Sequence, residues 1–291
     1  LMGFTTRSRT GIFAQRAAPV QVNYLGYPAT MGAKYMDYIF ADGTIIPEAD
    51  RAEYTEKIAY LPTYQPNDPT RAVAEKKFNR EEFGLPPAGF VFCCFNNHYK
   101  ITPCVFASWM RILKQTGDSV LWLSDGNPAV RASLGQEAAR HGISADRLIF
   151  ARRLPSLEEH LARYRLADLF IDTSPYNAHT TASDALWAGL PVLTLMGSTF
   201  AGRVAASVLS AAGIPELVAA TVAQYEELAT GFAQNPPALA ELKSKLARNR
   251  AKSPLFDIDR YRRHIEAAYM TMWERQQRGE APATFSVTEM S

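Results

Sequence analysis

The sequence predicts an α/β protein built on a doubly wound parallel sheet, and two observations carry that prediction. From about residue 90 onward, short apolar runs alternate with amphipathic stretches, and the loops between them are brief. Strand-length apolar runs taking turns with helix-length periodic segments suit a parallel sheet covered on both faces. "FVFCCF", Phe90 to Phe95, is the first buried strand, and "TPCVFASWMRILKQTG" is a helix with Trp109, Ile112 and Leu113 inward. "SVLWLS" is the second strand, and "PAVRASLGQEAARHG" a helix ending on Gly142. "RLIFARR" is the third, followed by "SLEEHLARYRLA", a helix capped by Ser156. "LFIDTS" and "PVLTLM" are the fourth and fifth, with the helices "FAGRVAASVLSAAG" and "TVAQYEELATGFAQ" after them.

Residues 1–62 read differently. "PVQVNYLGYP", "MDYIFAD" and "KIAYLP" are strand-like runs punctuated by Gly and Pro. Three short runs bury no two-faced sheet alone, so they are expected to be the C-terminal part of a second α/β lobe. The start, "LMGFTTRSRTGIF", has no Met at position 1, and an N-terminally truncated chain is expected. Residues 63–87 form a linker that begins with the polar, Pro-containing "TYQPNDPTR". Residues 88–255 are expected to form the C-terminal, doubly wound lobe. In 256–280, Tyr261, Ile265, Tyr269 and Trp273 recur at four-residue spacing on a helix expected to pack across both lobes. Residues 281–291 read as a tail.

Composition narrows the classes. The chain is 47% hydrophobic and 21% charged, with 31 basic against 29 acidic residues, the profile of a globular domain without a polybasic nucleic-acid or membrane surface. Cys93, Cys94 and Cys104 show neither CxxC nor Cys/His metal spacing, and the adjacent pair in an apolar run suits buried free thiols. No apolar run has membrane-spanning length, so a cytoplasmic setting is the simplest expectation.

In an open parallel sheet, ligands bind outside the carboxyl ends of the strands, and four such loops here are rich in polar groups. They are "NNHYK" (Asn96, Asn97, His98, Lys100), "RRLPSLEEHLAR" (Arg152, Arg153, His160, Arg163), "SPYNAHTT" and "MGSTFAGR" (Ser198, Thr199, Arg203). "HTT", His179 to Thr181, opens a helix, and a helix N-terminus offers unpaired N–H groups and partial positive charge to an anion. Thr180 and Thr181 add hydroxyl donors. Asp184, one turn on, could accept from a ribose or other diol, and Lys100 would bring a cation to the same phosphate. His179 and Thr180 could equally be simple N-caps, and His160 and Arg163 could be packing residues. "DID", Asp257 to Asp259, matches a metal-binding DxD but directly precedes a helix, where Asp serves as a cap. GxGxxG and GxxxxGK[ST] are both absent, against a dehydrogenase or NTPase.

"QVNYLGYPATMGAKYMDYIFAD", "FNNHYK", "SVLWLSDG" and "LARYRLADLFIDTSPYNAHTTASDALWAGLPVLTLMGSTFAGRVAASVL" closely resemble the catalytic region of the O-GlcNAc transferase family, SPINDLY-like in bacteria. The resemblance runs from about Gly3 to Trp273. It implies a GT-B fold of two Rossmann-like lobes, and transfer of N-acetylglucosamine from UDP-GlcNAc to Ser or Thr hydroxyls, inverting and without a metal or other cofactor. By motif, Lys100 resembles the diphosphate-binding lysine, and Asn97 stands where many members have Gln. His179, Thr180 and Thr181 resemble the "HTT" that meets the diphosphate, with Asp184 the ribose acceptor. His160 and Arg163 resemble the nucleoside-side residues. Animal members carry a Lys where this chain has Leu157, and Arg153 is a candidate to supply that charge. Lys100 and His179 are the candidate catalytic residues, His179 favoured as a donor-side hydrogen-bonding group. The implied partners are UDP-GlcNAc or UDP and a protein acceptor recruited by N-terminal tetratricopeptide repeats outside this sequence, with no nucleic acid or membrane. Two other readings stay open: a relative using another nucleotide sugar such as GDP-fucose, and a catalytically incomplete binding or scaffold fragment.

Overall fold

The computed structural model describes residues 3–290; the outermost positions of the N-terminal lobe and of the tail, residues 1, 2 and 291, lie outside it. The N-terminal lobe holds helix α1 (Thr10–Ala14) and strands β1 (Val22–Asn23), β2 (Tyr38–Ala41) and β3 (Lys57–Tyr60). The C-terminal lobe alternates strictly: β4 (Phe90–Cys94), α2 (Pro103–Gln115), β5 (Ser119–Ser124), α3 (Pro128–Arg140), β6 (Leu148–Ala151), α4 (Leu157–Arg163), β7 (Leu169–Ile171), α5 (Thr180–Trp187), β8 (Val192–Leu195), α6 (Val204–Ala211) and β9 (Val218–Ala219). Helices α7 (Val222–Gln234), α8 (Pro236–Arg250) and α9 (Ile258–Gln277) follow, then β10 (Phe285–Ser286).

The strands of the C-terminal lobe are parallel and ordered β6-β5-β4-β7-β8-β9. Renumbered within the lobe this is 3-2-1-4-5-6, the doubly wound order whose direction reverses between the first and fourth strands. Strand β4 therefore lies beside β7, with Phe92 paired to Leu169 and Cys93 to Phe170. Their carboxyl ends, where chain direction diverges and a crevice opens, carry "NNHYK" and "SPYNAHTT". Trp109, Ile112 and Leu113 of α2 are buried beneath, as their spacing predicts. Cys93 and Cys94 are buried free thiols, whereas Cys104 is exposed.

The N-terminal sheet, also parallel, has the order β1-β2-β3-β10. Its last member comes from the segment read as a tail: Phe285 and Ser286 pair with Ala59 and Tyr60, and Val287 N–H donates to the Tyr60 carbonyl at 2.9 Å. Helix α9 packs on the N-terminal lobe. Its Tyr269 packs edge-on against Phe40 of β2, and the Tyr261 hydroxyl bonds that of Tyr24. The buried positions of α9 are Tyr261, His264, Ala268 and Met272, while Tyr269 and Trp273 are 43% and 48% exposed. The four-residue stripe read from sequence drifts because each step of four turns about 40° past a full revolution. Burial follows the 3-4-4 spacing instead.

The linker is not a solvated strap. Thr63, Gln65 and Asn67 are buried, and the segment is tied to α5. Ser183 donates to Asn67 Oδ1 at 2.7 Å, the Trp187 indole N–H donates to the Arg71 carbonyl at 2.9 Å, and Arg71 pairs with Asp184. Among the described residues, no helix is long and apolar enough to cross a membrane.

Candidate functional site

Asp172, at the carboxyl end of β7, organises the crevice. It is buried, and its Oδ1 accepts from Asn96 Nδ2 (2.9 Å), Thr173 N–H (2.7 Å) and Ala178 N–H (2.7 Å), while Oδ2 accepts from Thr194 Oγ1 (2.8 Å). Those bonds join the ends of β4, β7 and β8 and fold the 173–178 loop back on itself. Loss of hydration in the interior raises its carboxyl to about 6, against the hydrogen bonds that favour the anion. Nothing in the sequence singled Asp172 out as a site residue. The available signal was one carboxylate ending the apolar run "LFID", where an unpaired charge would be costly.

Lys100 rests on that loop. Its Nζ donates to the Asn177 carbonyl at 2.8 Å and lies 3.8 Å from the centre of the Tyr176 ring. Partial burial lowers the ammonium's pKa, and the nearby Asp172 opposes that shift. Tyr176 also packs against the His179 ring at 5.1 Å, so this one aromatic joins the lysine to the helix opening. Asn97 is exposed, and its side chain accepts from Tyr99 N–H, capping the turn that delivers Lys100.

His179 occupies the N-cap position of α5 without a side-chain cap bond. Its Nε2 instead bonds the Ala201 carbonyl at 3.1 Å. A carbonyl only accepts, so Nε2 carries the proton and Nδ1 is left as a bare acceptor. Burial, reinforced by Lys100, lowers the ring to about 4, and the imidazole is neutral at physiological pH. The N-cap reading of His179 and Thr180 therefore gives way: neither side chain caps α5, which leaves its first amides open. Thr180 is exposed and Thr181 half-buried, and neither hydroxyl is bonded among the described residues. The loop after β8 closes the other side. Gly202 packs so tightly under the 173–178 loop that a Cβ there would lie 2.7 Å from the Pro175 carbonyl oxygen. Thr199 caps Gly202 N–H, and Arg203 reaches the Gly197 carbonyl and Asp50 of the other lobe.

Past β6, Arg163 and His160 form a second group. Arg163 is 4% exposed and has no carboxylate partner among the described residues. It donates to the Arg152 carbonyl at 2.7 Å and to His160 Nδ1 at 2.5 Å, and it stacks over Phe95 at 4.4 Å. Burial and the neighbouring guanidinium lower His160 to about 4, so it accepts as a neutral ring. Arg153 is exposed and makes no hydrogen bond or ion pair among the described residues. Asp184 sits one turn into α5, nearly buried, with Oδ1 bound by Arg71. Burial raises its carboxyl pKa and Arg71 opposes the rise. The DxD pattern is accounted for at α9, where Asp257 accepts from Arg260 N–H at 2.9 Å as its cap.

The arrangement offers an anion a held ammonium, open helix amides, two hydroxyls and a neutral imidazole at a sheet's switch point. The family model described as glycosyl transferase family 41 matches residues 1–71 and 69–265. The chain belongs to glycosyl transferase family 41. It is similar, at 36% identity over 99% of its length, to an Arabidopsis thaliana protein named a probable UDP-N-acetylglucosamine–peptide N-acetylglucosaminyltransferase, SEC, of which it covers 30%. A Petunia hybrida relative, the SPINDLY protein of the same naming, is 33% identical over 97% of this chain and 30% of its own. Among solved structures, a Thermobaculum terrenum O-GlcNAc transferase mutant superposes with a TM-score of 0.81 at 32% identity, covering 91% of this chain and 50% of that one. This family 41 chain thus spans under a third of the length of those curated relatives, and its two lobes have the GT-B architecture.

Proposed function

We propose that this chain is the donor-binding and catalytic region of a protein O-GlcNAc transferase, moving N-acetylglucosamine from UDP-GlcNAc to Ser or Thr hydroxyls with inversion and without a metal. The observation that carries it is the convergence of Lys100, from the first strand's loop, and the open N-terminus of α5 on one crevice. As the bond from the anomeric carbon to the β-phosphate oxygen breaks, its electron pair leaves with UDP. Lys100, the first amides of α5 and the hydroxyls of Thr180 and Thr181 stabilise the growing charge, the role a divalent cation has elsewhere. Direct attack by the acceptor oxygen on the opposite face inverts the anomeric centre, and the hydroxyl proton passes to water. The neutral His179, with Nδ1 free, is a hydrogen-bond acceptor for the donor, and a pKa near 4 makes it a poor general base at neutral pH. Asp184 takes the ribose and Arg163 with His160 supports the base. The acceptor polypeptide is recruited by repeats outside these residues.

The test is Lys100→Ala in the full-length protein. Transfer should fall by about 10²–10³-fold, with stability lowered by about 1–3 kcal/mol because the ammonium's hydrogen bond and its contact with the Tyr176 ring are lost. Near-normal turnover would overturn the assignment. A thermal-shift panel of UDP, UDP-GlcNAc and GDP-fucose reads the donor, since a ligand of the folded state raises stability by mass action. Selective stabilisation by the guanosine sugar would replace this reading, and stabilisation by none would leave a scaffold.

A further inference from the structure

The least explained group in the crevice is Arg71. It belongs to the connecting segment, not to any of the four strand-end loops, yet its guanidinium grips Oδ1 of Asp184, 113 residues away. Its own position is fixed from three sides. The Trp187 indole holds its carbonyl at 2.9 Å, Asn67 four residues earlier is held by Ser183 at 2.7 Å, and Asp68 lies 3.9 Å from its Nε. Ser183, Asp184 and Trp187 lie at i, i+1 and i+4, one face of α5. The segment is therefore docked along the helix face that carries the carboxylate. A cavity of about 300 Å³ adjoins this contact, lined by Arg71, Asp68 and Asn67 on one side and Thr180 and Ser183 on the other.

We propose that Arg71 is a positioning residue for ribose recognition: by fixing Oδ1 of Asp184 it leaves Oδ2 as the acceptor presented to the two adjacent hydroxyls of a nucleoside diphosphate. The proposal rests on the ribose role given to Asp184 above. Among the described residues Oδ2 accepts no hydrogen bond, so one oxygen is committed and the other is available. A nearly buried carboxylate needs a cation to stay ionised, and Arg71 supplies it. Holding the carboxylate in one rotamer also removes an ordering cost that binding would otherwise carry. Arg71 would act on the hydroxyls through Asp184 without touching them.

The experiment compares calorimetric affinities for UDP, 2′-deoxy-UDP and 3′-deoxy-UDP in the intact protein and in Asp184→Asn, Arg71→Ala and Arg71→Lys. The native protein should prefer UDP over at least one deoxy analogue by about tenfold, the scale of one hydrogen bond to a charged group. That ratio should collapse towards one in Asp184→Asn and in Arg71→Ala, and recover in part in Arg71→Lys, which restores a charge without the fork. A purely structural Arg71 would weaken all three nucleotides by the same factor and leave the ratio unchanged, and that result overturns the proposal alone. A native ratio retained in Asp184→Asn would instead overturn the ribose role beneath it. Arg71→Lys keeps the comparison informative if the alanine variant does not fold.

Discussion

At the end of the crevice proposed to take the nucleoside, Arg163 and His160 are bonded to each other, and Arg163 donates to a backbone carbonyl and stacks over Phe95. At the end proposed to take the phosphates, the hydroxyls of Thr180 and Thr181 and Nδ1 of His179 have no partner among the described residues, and Lys100 rests on the Asn177 carbonyl and an aromatic face. The first group is bonded largely within the fold and doubles as core, with Arg163 Nε its one buried nitrogen lacking a partner among the described residues; the second contributes little to the fold and, in the proposed function, keeps its hydrogen-bonding capacity for a ligand. Substitutions should therefore separate into those that cost stability and those that cost affinity or rate, according to the end they touch.

The most direct way to break that contrast is at Arg163. Arg163→Ala leaves a cavity against Phe95 and strips the Arg152 carbonyl and His160 Nδ1 of a donor, so chemical denaturation should show a loss of about 2–4 kcal/mol. A loss below about 1 kcal/mol would place Arg163 among the ligand-reserved groups instead. Next in size is the response to acid. Both histidines titrate near 4 in the folded chain and near 6.5 when unfolded, so each contributes stability that is complete above about pH 6.5 and lost as pH falls towards 4, by up to about 3 kcal/mol. His160→Gln and His179→Gln should each flatten part of the pH-stability curve. Bound pyrophosphate, which lacks the base, should shift the His179 share and not the His160 share, because the proposed phosphate site adjoins His179 alone of the two. The smallest expected effect sharpens the comparison from the other side. Thr181→Val removes a hydroxyl that bonds nothing in the free protein, so stability should move by less than about 0.5 kcal/mol. UDP affinity should fall by about 0.5–1.5 kcal/mol, and calorimetry with a melting curve reads both. An unchanged affinity would take Thr181 out of the site.

The strand-helix alternation of the C-terminal lobe was legible because each element is long enough to show its period, and the strands run apolar on both faces. Helix α8 was not read: its inward residues Leu239, Leu242 and Leu246 are separated by charged and small residues in a segment of low hydropathy. Strands β9 and β10 have two residues each, too few for any pattern. In the site, Lys100, His179, Thr180 and Thr181 announced themselves as polar residues at strand ends. Asp172 was hidden by the apolar run it terminates, and Arg71 by a partner more than a hundred residues away, since pairing at that range leaves no local periodicity. The docking of the linker on α5 was hidden for the same reason. A polar, Pro-containing string looks solvated until the Ser183, Asp184 and Trp187 side chains that meet it are placed beside it.

The pairing of Phe285 and Ser286 with β3 has a practical side. The chain passes between lobes twice, through 63–71 and again between Phe256, packed on Trp187, and Tyr261, bonded to Tyr24, so a cut near Gly279 would not trim a loose end. It would bare a row of backbone amides and carbonyls along β3, the kind of edge that recruits a second molecule. Affinity tags and crystallisation variants should leave residues 280–290 in place, with a flexible spacer before anything fused beyond them.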